Sequence, residues 1–150
     1  MTPTTTRELR AATKLVLQSL VPAEEARRDA RWQPLERRSD VQSGEIRRFF
    51  LSFVNTSDDA SGVQSPDGIE VPTTMLVMTS YGSLDDSEVE DLISGDGAQI
   101  FHAMQLRGDP VIPGLVSTAW EGWDPEDDDQ GRQVGAHVYT VRYFRAGTSV

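Results

Sequence analysis

The chain contains no cysteine. This absence excludes disulfide bonds, thiolate catalysis and cysteine-ligated zinc, and it suits a reducing compartment. Long apolar runs are also missing, because no stretch approaches the roughly 18 residues that a membrane-spanning helix needs. Residues 1–10 are polar and rich in threonine, without the apolar segment of a secretory signal. The sequence therefore predicts a soluble protein that is made in a cytoplasm and has no membrane partner.

Basic residues are scarce. The chain has 14 Lys and Arg against 24 Asp and Glu, which gives a formal net charge of −10. Nucleic-acid binding normally needs a basic stripe that displaces counterions from phosphates, and the arginine-rich residues 27–48 are the only candidate. A solvated face or a subunit-interface patch explains these arginines better than contact with DNA.

Recognisable catalytic motifs are missing as well. His102 and His137 have no HxxxH partner, and no GxSxG serine accompanies them. The pairs Asp58-Asp59 and Asp85-Asp86 lie in polar turn or cap sequence, whereas a general acid needs a desolvated carboxyl group. The glycines around Asp96 do not continue into a phosphate-binding loop. We therefore expect no catalytic residue, no cofactor and no enzyme activity.

The acidic residues 124–129 are the remaining candidate for a metal site, because Ca²⁺ and Mg²⁺ favour clustered carboxylates. They lack the alternate spacing and the turn glycine of an EF-hand loop. A solvated hairpin tip fits the run better than a dedicated metal site, and weak divalent binding at an interface lies between the two. We predict no metal ligand.

Helical periodicity occurs in three places. Residues 6–20 follow a capping box of Thr5 and Glu8 and carry an apolar stripe at helical spacing. Residues 85–94 also carry an apolar stripe at helical spacing, and Ser87 and Glu90 form their capping box. Gly95 and Gly97 then disfavour a continuous helix, and Asp96 offers a new N-cap for residues 98–106. This predicts two short helices or one broken helix in the second half.

Strand-like alternation predicts four strands, over residues 45–55, 71–81, 115–123 and 133–146. The order of elements predicts an α+β fold, with a mostly antiparallel four-stranded sheet packed against two or three helices. We expect a single domain over residues 1–150, since a chain of this length buries roughly 68–70% of its surface. A charged arm or insertion is predicted at residues 22–44, pinned by Trp32 and Leu35, with mobile loops at 56–69 and 124–132.

Surface residues of the predicted sheet suggest protein contacts. Trp120 and Trp123 flank a glycine near a strand end, and aromatic residues in such places are enriched at interfaces. Core packing for Trp120, with Trp123 as a partial lid, explains them equally well. Four arginines on the first and last strands would meet the carboxylates of a neighbouring copy. They are Arg47, Arg48, Arg142 and Arg145.

The succession of elements resembles the tail terminator proteins of long-tailed bacteriophages. The likeness lies in the helix TTRELRAATKLVLQSL, the strand PTTMLVMTSYG, the helix DGAQIFHAMQLRG and the closing pair GLVSTAWEGWD…GRQVGAHVYTVRYF. It spans residues 6–145 and is similar also to minor tail and neck-completion proteins. The charged residues 22–44 and the acidic run 124–129 depart from the usual compact pattern of that family.

The resemblance implies a structural virion component of the tail neck that is assembled in the host cytoplasm. Such a protein forms a hexameric ring that caps the tail tube, stops its polymerisation and joins a head–tail connector or adaptor protein. DNA would only pass through the channel, and an acidic lining would keep phosphates from sticking. The candidate lining residues are Asp85, Asp86, Asp124, Glu126, Asp127, Asp128 and Asp129. Another neck or head-completion adaptor, or an acidic protein-binding adaptor unrelated to phage, are the alternatives.

Overall fold

The computed structural model describes residues 3–24, 27–42, 45–54, 64–65, 68–107, 111–126 and 131–146. These residues form an α+β fold, as predicted. Two α-helices, α1 (Thr6–Ser19) and α2 (Asp86–Leu106), accompany a mixed sheet. The strands are β1 (Gln33–Pro34), β2 (Arg48–Val54), β3 (Gln64–Ser65), β4 (Gly68–Ser80), β5 (Leu115–Glu126) and β6 (Val134–Ala146).

The sheet has the strand order β1-β2-β4-β6-β5, and the short β3 pairs with β4. The four long strands β2, β4, β5 and β6 pair antiparallel, in agreement with the mostly antiparallel sheet that the order of elements predicted. The prediction missed the two-residue strands β1, which lies parallel to β2, and β3. Each is too short to leave a periodic pattern in the sequence. The sheet is therefore mixed and larger than the predicted four strands.

Both helices pack on one face of the sheet. We call it the helix face, and its central residues are Leu51, Met75, Val77, Tyr139 and Val141, all fully buried. Helix α1 supplies Leu9, Val16 and Leu17 to this core. Its start matches the prediction, since the Thr5 side chain accepts a hydrogen bond from the Glu8 backbone N–H at 3.1 Å. Period-two alternation then places the neighbouring side chains on the opposite face.

The opposite face, which we call the far face, is partly covered by the charged segment. Residues 35–42, here named the strap, include a short 3-10 helix, Arg38–Asp40. Val41 of the strap is 1% exposed and packs with Leu35 against Met78 and Ala136 of the sheet. Trp32, just before the strap, is also buried. The strap on the far face and Trp32 in the helix-face core thus pack on the chain's own sheet and do not extend away from it as an arm.

Helix α2 corrects the prediction of a break at Gly95 and Gly97, because it runs without interruption over 21 residues. Its N-cap is Asp85, whose carboxylate accepts from the Glu88 N–H, so the predicted Ser87 capping box is wrong. Asp96 caps nothing and is buried inside the helix packing. The glycine at position 97 serves packing, because a Cβ there would overlap the Trp120 ring. Tertiary contact outweighs the weak helix propensity of glycine here.

Two substitutions in α2 separate helix propensity from packing. Gly97→Ala should lower the free energy of unfolding by about 1–3 kcal/mol, because the added methyl group forces the Trp120 ring to move. Gly95→Ala meets only the flexible Glu24 side chain at 3.3 Å and should be neutral or stabilising by up to about 1 kcal/mol. Urea denaturation of both variants measures the difference. Equal effects would contradict the packing role of Gly97.

The predicted limits of several strands and loops need correction. Strand β5 extends through Asp124 and Glu126, which were expected in a loop at 124–132. Strand β4 begins at Gly68, and β3 occupies Gln64–Ser65, inside the loop predicted at 56–69. The remainder of these two loops, residues 55–63, 66–67 and 127–130, lies outside the described residues, together with Asp58, Asp59, Asp127, Asp128 and Asp129.

Candidate functional site

The densest group of polar side chains among the described residues is a buried cluster. It lies between α2 and the end of the sheet at which β2 begins and β4 ends. Arg47 and Asp96 form its centre, with side chains 0% and 1% exposed. Arg47 Nε donates to Asp96 Oδ2 at 2.8 Å, and Nη2 donates to Oδ1 at 3.0 Å. This bidentate geometry is the strongest arrangement of a guanidinium and a carboxylate.

Arg47 also holds the chain that precedes β1. Its Nη1 donates to the carbonyl oxygens of Arg27 at 2.6 Å and Ala30 at 3.0 Å. Both arginines have positive φ angles, 61° for Arg27 and 63° for Arg47, which non-glycine residues rarely adopt. The guanidinium therefore fixes a turn of unusual backbone conformation against helix α2.

Tyr81 and His137 complete the cluster. The Tyr81 hydroxyl donates to Asp96 Oδ2 at 2.7 Å, and it lies 2.8 Å from His137 Nε2. Because a hydroxyl has a single proton, His137 must be the donor in the second bond, with its proton on Nε2. His137 Nδ1 is buried and has no hydrogen-bond partner among the described residues. The ring packs edge-on against Trp32, Tyr81 and Trp123.

Burial controls the protonation of the cluster. Desolvation, with a smaller contribution from the Arg47 charge, lowers the pKa of His137 to about 3, so the imidazole is neutral at physiological pH. Desolvation and then the Asp96 carboxylate raise the pKa of Tyr81 well above its usual value. Desolvation likewise raises the pKa of Tyr139, whose hydroxyl donates to the Gly97 carbonyl at 2.8 Å.

This arrangement joins distant parts of the chain and gives a substrate no route to the polar atoms. Arg47, Asp96, Tyr81 and His137 are each at most 1% exposed. Catalysis requires groups that a reacting molecule can reach. The cluster therefore stabilises the fold, because its hydrogen bonds connect the turn at residues 27–30, helix α2 and strand β6.

The structure corrects the assignment of Arg47 to an interface, since its side chain is fully buried. Arg48 is 43% exposed and lies 3.6 Å from Glu45. Arg142 donates to Glu70 at 2.8 Å on the far face of its own sheet. Arg145 is exposed at the end of β6. Of the four predicted interface arginines, Arg48 and Arg145 have the side chains most available to a partner.

Trp120 and Trp123, the two predicted interface tryptophans, differ in their burial and in the residues they contact. Trp123 is half-buried, and its ring packs against Tyr81 and His137. Trp120 packs on α2 at Gly97 but remains 37% exposed. It lies on β5, at the end of the strand order, and in the described part of the chain no strand pairs with the outer side of β5. Trp120 is therefore partly exposed beside this edge of the described sheet.

The predicted acidic residues that are described gather at one end of the molecule. Asp85 and Asp86 lie at the start of α2, and Asp86 accepts a hydrogen bond from Gln133 at 3.2 Å. Gln133 precedes β6 and thus lies beside the end of β5, which carries Asp124 and Glu126. Helix α2 and the β5–β6 hairpin therefore bring the two acidic groups to the same end of the sheet, on opposite faces.

Comparison with known proteins adds no family. A scan against protein-family models gives no match, and a search of curated proteins also gives none. Among the described helices, none combines the length and the apolar character that crossing a bilayer demands. The described residues contain no group of three or more His, Asp or Glu side chains arranged to hold a metal ion.

Proposed function

We propose that this chain is a ring-forming structural protein of a phage tail neck, a tail terminator that caps the tail tube and joins it to the head connector. The observation that carries the proposal is a sheet with two unequal edges. Within the described sheet, strand β5 forms one edge along its whole length, while β1 covers only Arg48 and Phe49 of β2 at the other. Unpaired edges are sites at which another chain can add a strand.

The direction of the strands suits ring closure. Three antiparallel pairings separate β2 from β5, so these two strands run in opposite directions within one copy. A rotation about an axis along the strands would place β2 of the next copy antiparallel to β5. A cyclic assembly of this kind leaves no free edge, and closed symmetric rings are a common form of head-to-tail assembly.

The far face, together with the strap that partly covers it, would then line the channel, with both helices on the outside. Alternation places Asp124 and Glu126 on this face, because their register partners Ala136 and Val134 point there. An acidic wall lets a phosphate backbone pass without retaining it. Asp85 and Asp86 would lie at the rim, because they begin α2 on the helix face. The buried cluster would keep the wall rigid.

Light scattering coupled to size-exclusion chromatography tests the proposal. We expect a discrete species of six times the 16.6 kDa chain mass, visible as a ring in negative-stain electron microscopy. Added to polymerising tail tube protein, the ring should fix tube length. A twelve-fold mass with binding to a portal favours a head-completion adaptor. A monomer that persists at high concentration rules out the ring and favours an acidic adaptor.

A further inference from the structure

We infer that the ring closes by a head-to-tail junction in which Trp120 of one copy meets Arg10 and Phe53 of the next, and Glu126 of the first copy meets Arg48. The partner is thus a second copy of this chain. This inference rests on the proposed ring and adds which surfaces form its contact. It derives from the register of the sheet and from the different chemistry of its two edges.

Register pairs connect the two edges at defined levels. Phe53 on β2 pairs with Met75, Met75 pairs with Tyr139, and Tyr139 pairs with Trp120 on β5. Phe53 and Trp120 therefore lie on one rung of the sheet, at opposite edges. Cyclic symmetry allows no translation along the ring axis, so with the strands along that axis, rungs of equal height meet at each junction. The exposed Trp120 of one copy then faces Phe53 of its neighbour.

Arg10 provides a cation that favours an aromatic partner at the rung of Phe53 and Trp120. Its guanidinium lies over the Phe53 ring, 5.7 Å from the ring centre, and its Nε is buried without a hydrogen-bond partner among the described residues. Arg7 and Lys14 lie three residues before and four after Arg10 on α1, and this spacing places all three on one flank of the helix. A tryptophan face is the ring that a guanidinium prefers.

Charge is complementary at the rung of Phe49, four residues before Phe53 on β2, where the two-residue β1 forms the outer edge. Phe49 of β2 pairs with Thr79, Thr79 with Gly135, and Gly135 with Pro125, which is flanked by Asp124 and Glu126. At this height the β1–β2 edge carries the 43%-exposed Arg48, beside a cavity of about 460 Å³ that Arg27 and Arg31 also line. That corner also contains Asp29 and Glu45, so local pairing offsets part of its charge. Strand β5, in contrast, has three acidic residues and no basic one.

Both edges also expose apolar side chains. On β5, Val116 is 39% exposed, and on β2, Val54 is 44% exposed. Val54 is level with Ala119 through Thr74 and Thr140. Contact between Trp120 and the Arg10–Phe53 pair on one rung, with opposite charge at the rung of Phe49, gives the junction a single register. The same two surfaces recur on every copy, which head-to-tail closure requires.

A charge exchange tests this junction. Arg48→Glu places two carboxylates opposite each other, and Glu126→Arg places two guanidinium groups there. Each variant alone should weaken assembly about tenfold or more. An equimolar mixture of the two should regain the ring, because alternating copies restore a Glu–Arg pair at every junction. An even-numbered ring, such as a hexamer, permits this alternation.

The readouts are assembly mass by light scattering and, for each variant, the far-UV circular dichroism of the folded chain. Glu126 is only 3.9 Å from Arg38, an exposed pair whose loss costs little stability. Glu90→Lys, an exposed change on α2, is the charge-matched control and should leave the ring intact. Arg7→Glu with Lys14→Glu tests the rung of Phe53 and Trp120 without altering a buried side chain. It should also weaken assembly, because it replaces the two cations that flank Arg10.

The outcomes separate the two proposals. A wild-type chain that never assembles contradicts the ring itself. A wild-type ring that survives Arg48→Glu, Glu126→Arg and the Arg7/Lys14 pair contradicts this junction and leaves the ring standing. Loss of assembly in both single variants without recovery in the mixture also contradicts the junction, because complementary charge is then not what joins these two edges.

Discussion

Asp96→Asn is expected to lower the free energy of unfolding by about 3–5 kcal/mol, because it leaves the Arg47 guanidinium buried without its counter-charge. The asparagine side chain keeps the size of the carboxylate but can offer only one oxygen, where Arg47 and Tyr81 now share two. Urea denaturation at pH 7.5 measures the loss. Since a small domain has only about 5–15 kcal/mol of total stability, this single change should strongly lower the urea concentration at the midpoint of unfolding.

The matched control is Asp91→Asn, which removes the same charge from an exposed position of the same helix. It should change stability by less than about 0.5 kcal/mol. The double variant Arg47→Met/Asp96→Leu removes both charges, and it should lose less stability than the sum of the two single changes. A loss below about 1 kcal/mol for Asp96→Asn would show that the buried pair does not hold the fold together.

Lowering the pH from 7.5 to 5 should reduce the stability of the protein by about 2 kcal/mol through His137 alone. The pKa of His137 falls from 6.5 in the unfolded chain to about 3 in the folded protein, so the unfolded chain binds the proton first. The contribution of the neutral imidazole is complete above pH 6.5. It is lost as the pH falls toward 3, at about 1.4 kcal/mol per pH unit.

His137→Gln removes the titrating group and provides the control. This variant should be less stable than the wild type at pH 7.5, because the buried ring contacts with Trp32 and Trp123 are gone. Between pH 7.5 and 5, however, its stability should depend on pH much less than that of the wild type. Denaturation curves at half-unit intervals measure both slopes. Equal slopes would show that His137 is not the group responsible.

The candidate site was the least predictable part of the molecule. Arg47 appeared to be one of several surface arginines, and Asp96 a helix cap between two glycines. Their bidentate pair joins residues 49 positions apart in the chain, and no local pattern records such a distance. Gly97 signals a different contact: a glycine inside an otherwise helical run often has a packing reason, and here that reason is the Trp120 ring.

Local patterns alone determined the types and approximate limits of the long elements. The Thr5 cap and the apolar stripe define α1, and strict alternation defines β6, because each depends only on neighbours within a few residues. Tertiary structure decided the remainder: the continuity of α2 through two glycines, the strap on the far face, and which of many arginines is buried. These features depend on contacts between distant segments, whose energies exceed local propensity but leave no period in the sequence.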